Sequence, residues 1–130
     1  MYIYQAQLDR VIDGDTVDAM VDLGFSTWKH VRIRLAGIDA PETRTRDLEE
    51  KRMGFLAKER VIELLQENGG SFRLISLGVD KYGRCLGEIF LDSLGKDTSL
   101  QQTLLNEGLA TFYGWSYSSC PLGGRILYIF

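Results

Sequence analysis

The sequence predicts a small α+β domain made mainly of strands: a five-stranded barrel with one helix after the third strand and another after the fifth. Three observations lead there. Strand-like segments crowd the first half of the chain, separated by short turn-forming stretches. Within Trp28–Leu35, Val31, Ile33 and Leu35 fall on one face and Arg32 and Arg34 on the other, the period of a sheet with one apolar face. Two later segments switch to helical spacing, and each stops at glycine.

Taken in order, the first three strands are Tyr2 to Ile12, Thr16 to Leu23 and Trp28 to Leu35, a meander joined by the turn chemistry of "DGD" and "DLGFS". Gly14, between two aspartates in a strand context, predicts a bulge or kink that re-aims its neighbours. From Asp47 to Asn68 the residues Met53, Leu56, Ala57, Arg60, Val61 and Leu64 form one helical stripe, which Gly69-Gly70 ends. A fourth strand at Ser71 to Leu77 and a fifth at Cys85 to Leu91 flank the turn "GVDKYGR". Thr98-Ser-Leu-Gln101 has the form of a capping box, and Leu100, Leu104 and Leu105 give the next helix an apolar face up to Gly108. The order β-β-β-α-β-β-α suits a small closed barrel of the OB type, because closure removes exposed edges. A mixed sheet with another strand order is the alternative. The tail from Ser116 to Phe130 has neither period and takes no element.

A chain of 130 residues with 45% hydrophobic and 25% charged residues is enough for one domain with a real core. No segment approaches the ~20 apolar residues of a membrane span, and there are no repeats or low-complexity tracts. The amino terminus lacks the basic and apolar regions of a signal peptide, so a cytoplasmic protein is expected if Met1 is the natural start, and a secreted one if this is a processed form. Cys85 and Cys120 have no metal-ligand spacing and do not define a disulfide scaffold. The net charge of −3 argues against bulk attraction to nucleic acid, yet Lys29 to Arg60 holds nine basic against six acidic residues. That positive middle suits an anionic substrate, or is an ordinary mixed-charge surface.

Three short stretches carry chemistry. In "VIDGDTV", Asp13 and Asp15 offer hard oxygen ligands of the kind Ca²⁺ or Mg²⁺ takes, or are the solvated carboxylates of a common Asp-Gly turn. In "RLAGIDAPET", Asp39 and Glu42 are held in a turn stiffened by Pro41. In "DKYGR", Tyr82-Gly83 turns the chain and presents Arg84 at the start of a strand. Together they supply cation ligands, a carboxylate for water and two guanidiniums for a phosphoryl group, the parts of metal-assisted phosphodiester hydrolysis.

With "LLNEGLA" added, these segments in this order resemble the staphylococcal nuclease family over about Gln7 to Trp115. The resemblance implies an OB-fold nuclease domain over residues 1–115, followed by an atypical short tail over 116–130. It implies one Ca²⁺ ion and hydrolysis of DNA and RNA to 3′-phosphates. By motif position, Asp15, Asp39 and the backbone carbonyl of Ala40 would hold the metal, with alanine standing where the family often has threonine. Glu42 would deprotonate or orient water, and Arg34 and Arg84 would clamp the phosphate. Lys81 and Tyr82 would contact substrate phosphate, Tyr113 and Trp115 would stack on a base or simply pack, and Asp13 would lie in the metal's outer shell or serve its turn. Arg32 shares the face of Arg34 without a motif role and reads as a structural ion pair. His30, the sole histidine, has no sequence neighbours that make a triad or metal set. The alternative function is a domain of this family that binds nucleic acid or protein with little or no turnover. A monomer is expected. Where the family continues into a third charged helix, this chain runs into "ILYIF", which predicts lower stability or a dimer that covers the apolar end.

Overall fold

The computed structural model describes residues 2–95 and 98–112. The division at residue 115, the tail, Tyr113, Trp115 and Cys120 therefore lie outside the described residues, as does any interface the tail would make.

Five strands close a barrel: β1 (Tyr2–Asp13), β2 (Thr16–Asp22), β3 (Trp28–Leu35), β5 (Ser71–Val79) and β6 (Cys85–Phe90). Their spatial order is β1-β2-β3-β6-β5, with β5 returning to pair with β1. All neighbours are antiparallel except β3 and β6, which run parallel with Ile33 opposite Cys85. Helix α1 (Leu48–Glu67) enters after β3 and α2 (Leu100–Asn106) after β6. The barrel and its two helices are the expected fold. One feature is additional: β4 (Ile38–Asp39) pairs with β7 (Thr111–Phe112) in a two-stranded sheet beside the barrel.

The core is the inward row of each strand. Val17, Ala19, Ile33, Leu35, Leu74 and Ile89 are fully buried and meet Val61, Leu64 and Leu65 of α1 and Leu100 and Leu104 of α2. Asp47 caps α1 by accepting the N–H groups of Glu49 and Glu50, and Gly69 and Gly70, both at positive φ, turn the chain into β5.

Three local expectations are corrected. The buried stripe of α1 is Gly54, Ala57, Val61, Leu64 and Leu65, and Leu56 faces outward at 42% exposure, because the seat for the loop before the helix lies on the Gly54 side. The cap of α2 is Ser99, which accepts the N–H of Gln102 at 3.0 Å. Gln101 is wholly buried instead of closing a capping box: its amide accepts the N–H of Ile89 at 3.2 Å and donates to the carbonyls of Gly87 at 2.9 Å and Ala36 at 3.4 Å. Gly14 is part of the tight turn between β1 and β2, where Asp13 pairs with Thr16, and the nearer of two register irregularities falls just before it, between Val11 and Asp13. Glycine is required there by proximity, since a Cβ would sit 2.7 Å from Ala57 Cβ and 2.9 Å from Ala40 Cβ.

Candidate active site

The end of β3 sets the geometry. Its alternation buries Ile33 and Leu35 and leaves Arg34 on the outer face, while Leu35 donates its N–H to the carbonyl of Asp15 at 2.8 Å. Hairpin β1-β2 and strand β3 are thereby stitched together where all three end. Arg34 is held in place by its own chain: Nη1 donates to the carbonyls of Leu35 and Ile38, each at 2.8 Å. Its Nη2 stands between two carboxylates, 3.6 Å from Asp15 Oδ2 and 3.4 Å from Asp39 Oδ1. That arrangement aims a guanidinium whose side chain is only 12% exposed.

Asp15 is 8% exposed and satisfied twice: Oδ2 accepts the N–H of Ala40 at 2.9 Å, and Oδ1 accepts the Thr16 hydroxyl at 3.0 Å. Asp39 points into the opening, its side chain 58% exposed. Partial removal from water, then the adjacent charge of Asp15, pushes the Asp39 pKa up; Arg34 opposes this, and Glu42 adds to it. The Asp39-Ala40-Pro41-Glu42 turn rests on α1 at Gly54, where a Cβ would lie 2.6 Å from the Glu42 carbonyl oxygen and 2.8 Å from that of Pro41. A second tie runs from the turn to the hairpin, with the Thr43 hydroxyl donating to Asp13 Oδ1 at 2.7 Å.

Arg84 comes from the start of β6, the strand beside β3, just before Cys85 pairs with Ile33. Asp80 folds the β5-β6 turn by accepting the N–H groups of Tyr82 and Arg84, each at 2.9 Å, and takes Nε of Arg84 at 2.7 Å. The Tyr82 ring packs beneath the Arg84 guanidinium, 5.4 Å from its centroid. These groups share one cleft of about 590 Å³, lined among others by Asp13, Asp15, Arg34, Asp39, Glu42 and Arg84, with Ala40, Lys81 and Tyr82 on its walls. Every site residue expected from sequence within the described region is there. Two supporting residues carry no motif role: Asp80, which steers Arg84, and Gly54, which seats Glu42; a third, Gln101, ties α2 to Ala36 instead of capping it. The signal for Asp80 is its place four residues before Arg84 in "DKYGR"; Gly54 has none, because it acts through a tertiary contact.

The sequence model of the staphylococcal nuclease homologue family matches residues 32–122. The chain belongs to the staphylococcal nuclease family. Among curated relatives it is 30% identical over 119 residues to a micrococcal nuclease of Shigella flexneri, covering 88% of this chain and 59% of that protein. It is 39% identical over 106 residues to the endonuclease YncB of Bacillus subtilis, covering 79% of this chain and 45% of that one. It is 36% identical over 85 residues to a probable staphylococcal-like nuclease of Oryza sativa, covering 65% of this chain and 22% of that protein. The chain thus spans about half or less of two of these relatives and under two thirds of the third. The family match starts at Arg32, so the placement of Asp15 at the site rests on the barrel geometry.

A hard divalent cation, as the staphylococcal nuclease family implies, fits the donor chemistry of the cleft. Asp15, Asp39 and the backbone of Ala40 supply oxygen, and a cation between the carboxylates would relieve the repulsion from Asp15 that, after desolvation, raises the Asp39 pKa. Asp9, Asp18 and His30, far apart in sequence, also meet, with ligand atoms within 4.8 Å of one another. There the two oxygens of Asp18 are already engaged by Arg32, at 2.8 and 3.1 Å, and by Arg10 at 3.2 Å. Arg32 is therefore the ion-pair residue expected from sequence. Cys85 is half-buried, and burial pushes its thiol pKa up despite the Ser76 hydrogen bond, so it stays a protonated packing group. No described helix is long and apolar enough to cross a membrane.

Proposed function

We propose that this domain is a metal-dependent nuclease that hydrolyses phosphodiester bonds of DNA and RNA, with Ca²⁺ as its ion and 3′-phosphates as products. The observation that carries the reading is the convergence of Asp15, Arg34, Asp39, Glu42 and Arg84 on one cleft from four separate parts of the chain. Membership of the staphylococcal nuclease family and relatives named as nucleases and endonucleases support it.

Asp15, Asp39 and the Ala40 carbonyl would hold the ion, which when bound supplies a positive centre for a phosphoryl oxygen and an attacking water. Glu42, at the rim of the cleft and seated on α1, takes the proton of that water or orients it toward phosphorus. Arg34 and Arg84, from the neighbouring strands β3 and β6, line the same cleft and would meet the charge that grows on the non-bridging oxygens of the phosphate. Their own carboxylate partners, Asp39 and Asp80, fix their directions beforehand, so little reorganisation is left for the reaction. Lys81 and Tyr82 line the approach to that phosphate. The binding-module alternative has no observation in its favour, since no catalytic position of the pattern is substituted.

The test is incubation of end-labelled DNA and RNA oligonucleotides with the protein in Ca²⁺ or in chelator, with end-group analysis of the products. Cleavage that needs Ca²⁺ and leaves 3′-phosphates is expected. Intact substrate in Ca²⁺ across pH 6 to about 10, the span in which carboxylates are ionised and arginines charged, would refute it.

A further inference from the structure

The outer face of β3 does not end its row of polar side chains at Arg34. Arg32 and His30 follow at two-residue intervals, each about 6.6 Å further along the strand, on the order of one nucleotide of extended polynucleotide. A second cleft of about 520 Å³ opens over this row, lined by Asp18, His30, Arg32, Tyr82, Gly83 and Arg84. Tyr82 and Arg84 are walls of both clefts, so the second is a continuation of the first.

Resting on the nuclease reading, we propose that this second cleft is a subsite for the neighbouring phosphate of a single-stranded polynucleotide, with Arg32 as its anion-binding residue. The charge arrangement beneath it is built for that. Asp18 is buried, its side chain 2% exposed, whereas the guanidiniums it holds, Arg32 and Arg10, are 47% and 64% exposed. Asp18 lies beside Arg32 on the outer face, covered by the two guanidiniums it holds, so the surface presents those cations and little of that carboxylate, while the half-exposed Asp9 meets His30 at 3.1 Å. Asp18 engages only Nε and Nη2 of Arg32, leaving Nη1 with no hydrogen bond to another described residue. Hydrogen bonds between Arg and phosphate are strongest when the fork is held in advance, as it is here. Directed donors of this kind also suit a chain with a net charge of −3, which has no bulk field to rely on. The exposed Tyr82 ring, between the two clefts, stands beside the base of the nucleotide whose sugar joins the two phosphates.

The experiment measures binding of 5′-phosphorylated oligothymidylates of one to four nucleotides, in chelator at low salt so that nothing is cut. For the unsubstituted protein the affinity is expected to rise about tenfold between one and two nucleotides, and in Arg32→Gln less than twofold. Arg32→Lys, which keeps a cation beside Asp18, is expected to fold if Arg32→Gln does not, and to lose most of the gain. In the unsubstituted protein, the Arg32 Nε–H resonance is expected to move on adding the tetranucleotide and to stay still with the mononucleotide. An equal length effect in the variants, or an Arg32 signal unmoved by the tetranucleotide, overturns the subsite. Calcium-dependent cutting without an Arg32-dependent length effect removes the subsite alone. An Arg32-dependent length effect in a protein that cuts nothing keeps the subsite and removes the catalytic reading.

Discussion

Replacing Gly54 by alanine would ordinarily strengthen a helix by about 0.5–1 kcal/mol, because alanine has the higher propensity and loses less backbone freedom. In this chain the sign should reverse. The new Cβ would stand 2.6 Å from the carbonyl oxygen of Glu42 and 2.8 Å from its carbonyl carbon and from the Pro41 oxygen, where ordinary contact begins at 3.4 Å. The shortfall is met by backbone, which cannot rotate away as a flexible side chain can. Either α1 or the Pro41-Glu42 turn must move by several tenths of an ångström, at an overpacking cost of about 1–3 kcal/mol. After the propensity gain the net loss of stability is about 0–2.5 kcal/mol, or a melting temperature lower by up to roughly 10 °C. Activity should fall further than stability does, because displacing a catalytic group by an ångström costs on the order of 10²-fold. Thermal unfolding and kcat on a short oligonucleotide, measured on the same preparation, read both effects. A Gly54→Ala protein that melts higher than its parent and cuts at the same rate would show that α1 does not seat the Glu42 turn.

Asp80→Ala removes the acceptor that shapes the β5-β6 turn and aims Arg84, so kcat should drop about 10- to 100-fold while the barrel still unfolds cooperatively; steady-state kinetics with urea unfolding checks both. Asp18 is held below its ordinary pKa of 3.8, first by its hydrogen bond from Arg32 and then by Arg10, against the opposing effect of burial. A lowered folded-state value contributes stability above pH 3.8 that is lost as pH falls through the folded pKa. Asp18→Asn should therefore cost about 1–3 kcal/mol at neutral pH, an amount moderated by the exposure of both arginines, and the gap to the parent should close in the acid range. Urea titrations at several pH values measure that gap, and one that stays constant into acid would contradict the pairing. Gln101→Leu leaves the Ile89 N–H and the Gly87 and Ala36 carbonyls without that amide, and should destabilise by on the order of 3 kcal/mol in chemical denaturation.

The fold was legible because its local signals agree. Alternation in Trp28–Leu35, Asp47 before α1 and glycines after both helices mark the barrel strands and the two α-helices within a few residues. Barrel closure followed from the need to cover strand edges, although the β1-β5 pairing that achieves it joins residues some seventy positions apart and has no local mark. The site was legible in another way, through motifs whose order matched a known family. What stayed hidden acts at a distance. Gln101 looked like a helix cap because its spacing from Thr98 fits one, yet three buried backbone groups claim its amide. Leu56 looked buried by helical period, yet the face of α1 turns toward Gly54 so that a loop can rest there. The β4-β7 pair is two residues long on each side, too short for any pattern, and it is what braces Asp39 against the chain that follows α2. Arg32 and His30 gained their neighbours only when three strands lay side by side.

Coupled binding of Ca²⁺ and a nucleoside 3′,5′-bisphosphate, measured by calorimetry, tests most directly whether one cation and two guanidiniums address the same phosphorus. If they do, each ligand should tighten the other at least tenfold, and the coupling should shrink in Arg34→Ala and in Arg84→Ala. Two ligands that bind with no effect on one another, or a coupling that both substitutions leave intact, would contradict the account.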